Sequence, residues 1–314
     1  MGGEEGEKEV EDDFIELSEP VHIRVQDEFT PLAQQLREHF DSRVGEPLKT
    51  RSDRFCWDYW HVPRQYTLLR TPAEHFFPPA LYDALEDALI EFGERELGCR
   101  GISPIWLSYY VHGCRQELHA DNPHGPWAFV LSLTHWDKRP FTGGETMILQ
   151  PHVLDYWRNF NPALGTEAPQ LVTKVEPHFN RLTLFDPRFP HGVQLVEGTL
   201  DPLQSRIVLH GWFTSPTPFF EGGLSEEQAT PALNAVLQQI SEALAEAPPV
   251  IGTLVTRLDV SGPDGKVADL RWLSHTLEAV MDVVGCIAEG LLAARFPASA
   301  DGSNTAITVP FVFE

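Results

Sequence analysis

The stretch QELHADNPHGPW, residues 116–127, sets His119 and Asp121 two apart in a run otherwise poor in charge. If ELHAD is a strand, its period of two turns both side chains to one face. An isolated His-x-Asp triplet is common on surfaces, so its meaning depends on what the rest of the chain brings to that face. The flanks are strand-like. From Ile102 onward short runs rich in β-branched and aromatic residues, PIWLSYYV, WAFVLSLTHW, ETMILQP, RLTLFDP and SRIVLHGWF, are separated by Gly, Pro, Asn and Asp. That texture predicts an all-β barrel or sandwich.

A third ligand stands seventy residues beyond Asp121. In RLTLFDPRFPHGVQ, His191 follows an apolar strand and a proline turn. Two imidazoles and one carboxylate on one face of an octahedral ion leave positions open, an arrangement that suits non-haem Fe(II) oxygenases. A 2-oxoacid chelating such an ion needs a cation for its far carboxylate. Arg206, fifteen residues past His191 at the head of RIVLHGWF, is placed for that, because a buried strand has little other use for a guanidinium.

Residues 102–214 resemble the 2-oxoglutarate- and Fe(II)-dependent oxygenases, specifically the branch that includes the hypoxia-inducible-factor prolyl hydroxylases. The resemblance is carried by Tyr110, Gly113, His119 and Asp121 in the spacing Y-x-x-G-x-x-x-x-x-H-x-D, by HADNPHG, by FTGGETMIL, and by VEPHFNRLTLFDPRFPHGVQ. It implies a double-stranded β-helix of jelly-roll or cupin-like form. It also implies Fe(II) held by His119, Asp121 and His191, with 2-oxoglutarate ending on Arg206, O2 as oxidant and ascorbate as an accessory reductant. The implied reaction is hydroxylation, since an aspartate at 121 leaves no room for halide. The implied substrate is a prolyl residue of a protein or peptide, with a free amino acid or other small molecule as the alternative. Relatives often pair the arginine with a tyrosine, and Leu131 stands near that position. Tyr110 and Ser132 are therefore the candidates for a second carboxylate partner, with Arg181 as a substitute anchor should Arg206 fail. The long interval VEGTLDPLQSR suggests a hairpin insertion at the mouth of the site.

Around this unit the sequence divides further. Residues 1–13 read as a disordered acidic tail, because MGGEEGEKEVEDDF lacks apolar periodicity. Helical spacing appears in 29–40 and in 78–98, the latter opening on proline and closing on Gly98. These flanking helices complete an oxygenase domain over 14–214. A linker and helix follow over 215–246, then a small α+β unit over 247–314: two strands about Asp264-Gly265, an amphipathic helix in 277–296, and the closing strand TAITVPFVF. This unit resembles the C-terminal domain of TonB-type energy transducers in VSGPDGKVADLRWLS, in Cys286 before LLAARFP, and in ITVPFVF. The resemblance implies a peptide-binding or self-associating module with open strand edges. It also keeps open a second class of function, a non-catalytic interaction protein in which the barrel is only a scaffold.

A net charge of −23 opposes nucleic acid and anionic lipid as partners. The chain carries no signal-like opening and no membrane-length apolar run, so the expectation is a cytoplasmic protein. Four scattered cysteines, Cys56, Cys99, Cys114 and Cys286, form no CxxC pair and suggest reduced thiols. The remaining ten histidines read as surface or hydrogen-bonded residues, with His124 and Trp127 placed to touch substrate. Residues 50–77, rich in Trp, Tyr and Arg, read either as one wall of a substrate cleft or as a lid over the core. Gly143-Gly144 is a turn rather than a phosphate loop, because no Lys-Ser/Thr follows.

Overall fold

A computed structural model describes residues 22–46, 48, 57–121, 124–151, 153–165 and 170–313. The acidic tail and Cys56 lie outside these residues. In chain order the first unit comprises β1 (Ile23–Gln26), α1 (Ala33–Val44), β2 (Asp58–Val62), β3 (Tyr66–Pro72), α2 (Ala73–Phe76), α3 (Pro79–Leu97), β4 (Cys99–Ile102), β5 (Trp106–Tyr110), β6 (Arg115–His119) and β7 (Trp127–Ser132). It continues with β8 (Thr146–Leu149), α4 (Val153–Arg158), β9 (Val172–Val175), β10 (Leu182–Phe185), β11 (His191–Val193) and β12 (Arg206–Pro216). The second comprises β13 (Phe219–Gly222), α5 (Glu226–Leu244), β14 (Gly252–Val260), β15 (Val267–His275), α6 (Val283–Ala293) and β16 (Thr305–Phe313).

Twelve strands of the first unit form one antiparallel sheet in the order β1-β10-β7-β12-β5-β3-β6-β11-β8-β9, with β2 on β3 and β4 on β12. The sheet curls strongly into a half-barrel, the jelly-roll form of a double-stranded β-helix. β3 makes the bend, because Leu69–Pro72 pair with β5 while Tyr66 and Thr67 pair with β6. Strand alternation then gives the sheet two chemically different faces. The convex face of β5, β7 and β12 carries Leu107, Tyr109, Phe129, Leu131, Ile207, Leu209 and Phe213, all buried. Against it lie Leu36 and Phe40 of α1 and Leu85, Leu89 and Phe92 of α3. Each such side chain contributes about 1.5–3 kcal/mol when fully buried. The other face, carrying Arg206, Val208, His210 and Trp212, is left to line a cavity.

The helix limits have local causes. Helix α3 opens with Pro79 in its first turn and stops at Gly98, whose φ of 61° suits glycine and whose N–H donates to the Glu94 carbonyl. Helix α1 starts later than its apolar spacing suggests, because Asn180 ties down both the N–H and the carbonyl of Thr30. Helix α6 covers only the later part of the expected 277–296. The Asp282 carboxylate accepts from the Gly285 N–H and fixes the start there, leaving Val280 and Met281 exposed. The interval 196–205 forms no hairpin. It is a loop with a 3-10 turn over Pro202–Gln204, capped by Asp201.

The second sheet has the order β13-β16-β14-β15. Leu254, Leu258, Ile307 and Val309 pack one side of it against α5 and α6. The opposite side meets the first unit: Val255 joins the α1/α3 core, Thr308 Oγ1 donates to the Arg95 carbonyl at 3.0 Å, and Arg24 donates to Ser274 Oγ at 3.3 Å. No helix of the described residues is long and apolar enough to cross a membrane.

Candidate metal and oxoacid site

Ligand atoms of His119, Asp121 and His191 lie within 4.8 Å of one another. His119 ends β6 and His191 opens β11, and the two residues face each other across that ladder. Their side chains retain 19% and 11% exposure, so the cluster sits in a recess reachable from solvent. Each imidazole has its Nδ1 beside a backbone carbonyl, His119 on Glu117 at 2.8 Å and His191 on Phe189 at 2.9 Å. Committing Nδ1–H to a carbonyl fixes the tautomer with a lone pair on Nε2, the form a metal needs. Both Nε2 atoms point at Asp121, at 3.5 and 3.6 Å. The Trp212 indole N–H donates to Asp121 Oδ2 at 2.9 Å, and the Asp121 N–H donates to the Pro187 carbonyl at 2.9 Å.

The electrostatics follow from that packing. Burial would raise the Asp121 pKa, but the hydrogen bond with His119, the His191 charge and the Trp212 donor together hold it below the ordinary value. Burial lowers His191, opposed only in part by Asp121. At His119 the same burial is outweighed by Asp121 and the Glu117 carbonyl, so its pKa is raised. A neutral His191 and an ionised Asp121, with His119 whose proton a bound cation would displace from beside that carboxylate, form a donor set for a divalent cation.

The recess opens into a cavity of about 230 Å³ whose far end holds Arg206. This arginine is 1% exposed, and burial lowers its pKa. Its Nη2 donates to Thr146 Oγ1 at 3.1 Å and its guanidinium carbon lies 4.6 Å from the Tyr110 ring centroid. Nε and Nη1 have no hydrogen-bond partner, and Glu145 acts on the group only through its charge. A buried cation with orphaned donors is costly, on the order of several kcal/mol, unless an anion completes it. Arg181, by contrast, is spent on Asp27, with bonds of 2.6 and 3.0 Å.

Tyr110 lines the cavity, 2% exposed, and donates to Gln116 Oε1 at 2.9 Å. Ser132 does not line it. Its hydroxyl donates to the Pro177 carbonyl at 2.7 Å, and Thr146, in the strand after the glycine pair, is the hydroxyl that reaches Arg206. Leu131 faces the helical core. Trp127 is also wholly buried in that core, away from the cavity, whereas His124 lies against Trp212 at 4.6 Å between ring centroids. Of the histidines read as bystanders, His210 lines the cavity and bonds Ser108 Oγ at 2.8 Å. Its pKa is pushed down to about 3, chiefly by burial and then by the Arg206 and Arg70 charges. Of the 50–77 stretch, Trp60, Tyr66 and Arg70 form a wall of the cavity. The Arg70 guanidinium is sandwiched between the rings of Trp60 at 3.7 Å and Trp106 at 4.2 Å. Alternation along β12 from Arg206 would have pointed to His210 and Trp212; nothing local marks Thr146. The 196–205 loop lines no part of this cavity.

Residues 105–214 match the 2OG-Fe(II) oxygenase superfamily. The matched segment is the one that carries the three clustered ligands and Arg206. Among solved structures, a prolyl-4-hydroxylase from Pseudomonas putida is 17% identical, with a TM-score of 0.40 over 62% of this chain and 92% of that one. A Trichoplax adhaerens prolyl hydroxylase, in complex with a peptide fragment of the hypoxia inducible factor oxygen degradation domain, is 15% identical, with a TM-score of 0.40 over 61% and 83%. HygX from Streptomyces hygroscopicus, with nickel and 2-oxoglutarate bound, is 13% identical, with a TM-score of 0.39 over 60% and 81%. Comparison with curated proteins gives no match.

Proposed function

We propose that this chain is an Fe(II)- and 2-oxoglutarate-dependent hydroxylase acting on a prolyl residue of a protein or peptide. The observation that carries the reading is one cavity holding both the His119-Asp121-His191 cluster and a buried Arg206 with two guanidinium nitrogens, Nε and Nη1, that have no hydrogen-bond partner. His119, Asp121 and His191 would hold the metal through Nε2 and carboxylate oxygen. Arg206, helped by the Thr146 hydroxyl, would take the far carboxylate of the oxoacid in charge-assisted hydrogen bonds. When bound, Fe(II), 2-oxoglutarate and O2 supply the oxidising power for C–H hydroxylation, with release of succinate and carbon dioxide.

The residues of the chain bind, orient and insulate. Trp212 and the carbonyls of Glu117 and Phe189 fix the three ligands in place. His210 stays neutral because of its depressed pKa, so the deep end of the cavity holds one cationic anchor rather than two. Trp60, Tyr66, Arg70 and Trp106 offer an aromatic wall on which a prolyl ring and its flanking peptide would rest. The prolyl assignment is supported by the motif around Tyr110, Gly113, His119 and Asp121. We read the C-terminal unit as a TonB-like module whose edge strand β15 is open for strand pairing, and the free thiols of Cys99, Cys114 and Cys286 as suited to a reducing, cytoplasm-like compartment.

The test is succinate formation from 2-oxoglutarate by the Fe(II)-loaded protein, alone and with proline-containing peptides. Peptide-stimulated succinate with a mass gain of one oxygen on proline supports the reading. Absence of any 2-oxoglutarate turnover, or equal turnover by Asp121→Ala, would leave the interaction-protein alternative standing instead.

A further inference from the structure

The segment Asp186–Pro190 supplies three backbone carbonyls to the neighbourhood of the metal cluster. Pro187 accepts from the Asp121 N–H, Phe189 from His191 Nδ1, and Pro190 from the Leu149 N–H at 2.8 Å. The two charged side chains of the same segment point the other way, into the second sheet. Asp186 is 1% exposed and pairs with Arg188. It also accepts from Thr276 Oγ1 at 3.1 Å. Arg188 in turn donates to the Phe313 carbonyl at 2.6 Å and to Thr253 Oγ1 at 3.2 Å. Thr253 and Thr276 lock each other: the Thr253 N–H donates to Thr276 Oγ1, and the Thr276 N–H returns to the Thr253 carbonyl, both at 2.9 Å.

We infer that the C-terminal sheet is a positioning element of the metal centre, with Thr276 and Thr253 as positioning residues that hold the Asp186–Arg188 pair and, through it, the carbonyls that aim Asp121 and His191. This rests on reading the His119-Asp121-His191 cluster as a metal site. The chain of contact is short. A displacement of the segment moves the Phe189 carbonyl, which sets the His191 ring, and the Pro187 carbonyl, which sets the Asp121 backbone. Buried carboxylates keep their place only while their hydrogen bonds are complete, so loss of the Thr276 hydroxyl leaves Asp186 Oδ2 held by Arg188 alone and takes the acceptor from the Thr253 N–H.

The experiment is a titration of the full-length metal-free protein with Co(II), following both affinity and the ligand-field absorption bands, which report coordination geometry independently of turnover. Thr276→Val should bind Co(II) roughly tenfold more weakly, with shifted bands, as changes behind metal ligands do. Thr276→Ser should restore both. Thr308→Val removes one hydroxyl bond from the same interface, far in sequence from this segment, and should leave both unchanged. Should Thr276→Val fail to fold, Thr253→Val tests the same link through Arg188 with a weaker shift in the same direction. Wild-type affinity and bands in the folded Thr276→Val or Thr253→Val protein, or an equal shift in Thr308→Val, overturn the inference while leaving the metal reading intact. Failure of the wild type to take up Co(II) overturns both.

Discussion

Trp212 and Asp121 lie 91 residues apart in sequence, yet the indole N–H of one is hydrogen-bonded to the carboxylate of the other at 2.9 Å. A donor on the carboxylate steadies its orientation and helps keep its pKa low. Trp212→Phe keeps the ring against His124 and removes only the donor. Divalent metal affinity is expected to fall about tenfold. The pH at which metal is lost should also move upward, because Asp121 becomes easier to protonate. Co(II) titrations at several pH values check both; unchanged affinity would make the tryptophan a packing residue.

Arg206→Ala removes the guanidinium whose Nε and Nη1 have no hydrogen-bond partner. Losing a charge partner in a desolvated site costs on the order of 2–5 kcal/mol, about 30-fold or more in affinity. Apparent 2-oxoglutarate binding should weaken by at least that factor, with metal binding little changed. Arg206→Lys should recover part of the loss, since it restores charge without the planar fork. Thr146→Val should weaken binding more mildly, as loss of one hydroxyl does. The readout is an anaerobic 2-oxoglutarate titration of the Fe(II) protein by its charge-transfer absorbance, and an unchanged midpoint in Arg206→Ala moves the anchor elsewhere.

His210 gives a pH signature in stability. In the fold its pKa is about 3, against an ordinary 6.5. Between those values the unfolded chain binds a proton that the folded chain refuses, so stability rises with pH across the window. The contribution is complete above about 6.5 and is lost as pH falls toward 3. The slope is at most about 1.4 kcal/mol per pH unit, less wherever water in the cavity reaches the ring. His210→Gln should therefore lose stability less steeply than the wild type in urea melts between pH 6 and 4. Parallel slopes would mean that the ring titrates normally.

Gly143 tests the glycine pair. Its φ is +75°, and an added Cβ would come within 1.8 Å of the Leu195 carbonyl oxygen, a backbone atom that cannot swing aside. Gly143→Ala should cost a few kcal/mol, about the sum of left-handed strain and a backbone clash, and lower the melting temperature accordingly. A melting temperature equal to the wild type would show that the turn relaxes freely.

The parts of this molecule readable from sequence are those in which spacing alone fixes geometry. Gly98 ends α3 because its conformation favours glycine. The strand expected over ELHAD, by contrast, stops at His119, and Asp121 is brought beside it by the loop that follows, where its N–H donates to the Pro187 carbonyl. Arg206 stood out because a guanidinium heading an apolar strand needs an explanation. What escaped depends on which strands pair. Thr146 and Ser132 are both hydroxyls in short strands, and only the ladders β8–β11 and β7–β10 decide which of them reaches Arg206. The start of α6 turned on a single aspartate cap that competes with the apolar repeat before it. Asp186 and Arg188 look like ordinary turn residues until Thr253 and Thr276 arrive from a strand pair more than sixty residues later.

Strand β12 pairs with β7 on one side and with β5 and β4 on the other, and every second residue from Arg206 to Trp212 faces the cavity. Arg206, the neutral His210 and the Trp212 donor to Asp121 are thus threaded on one ladder and share one register. A single inserted or deleted codon inside 206–212 would turn part of that set toward the helical core at once, so point replacements there are graded in effect while frame-preserving length changes are all-or-none. Length variation belongs in the 196–205 loop, which lines no part of the cavity.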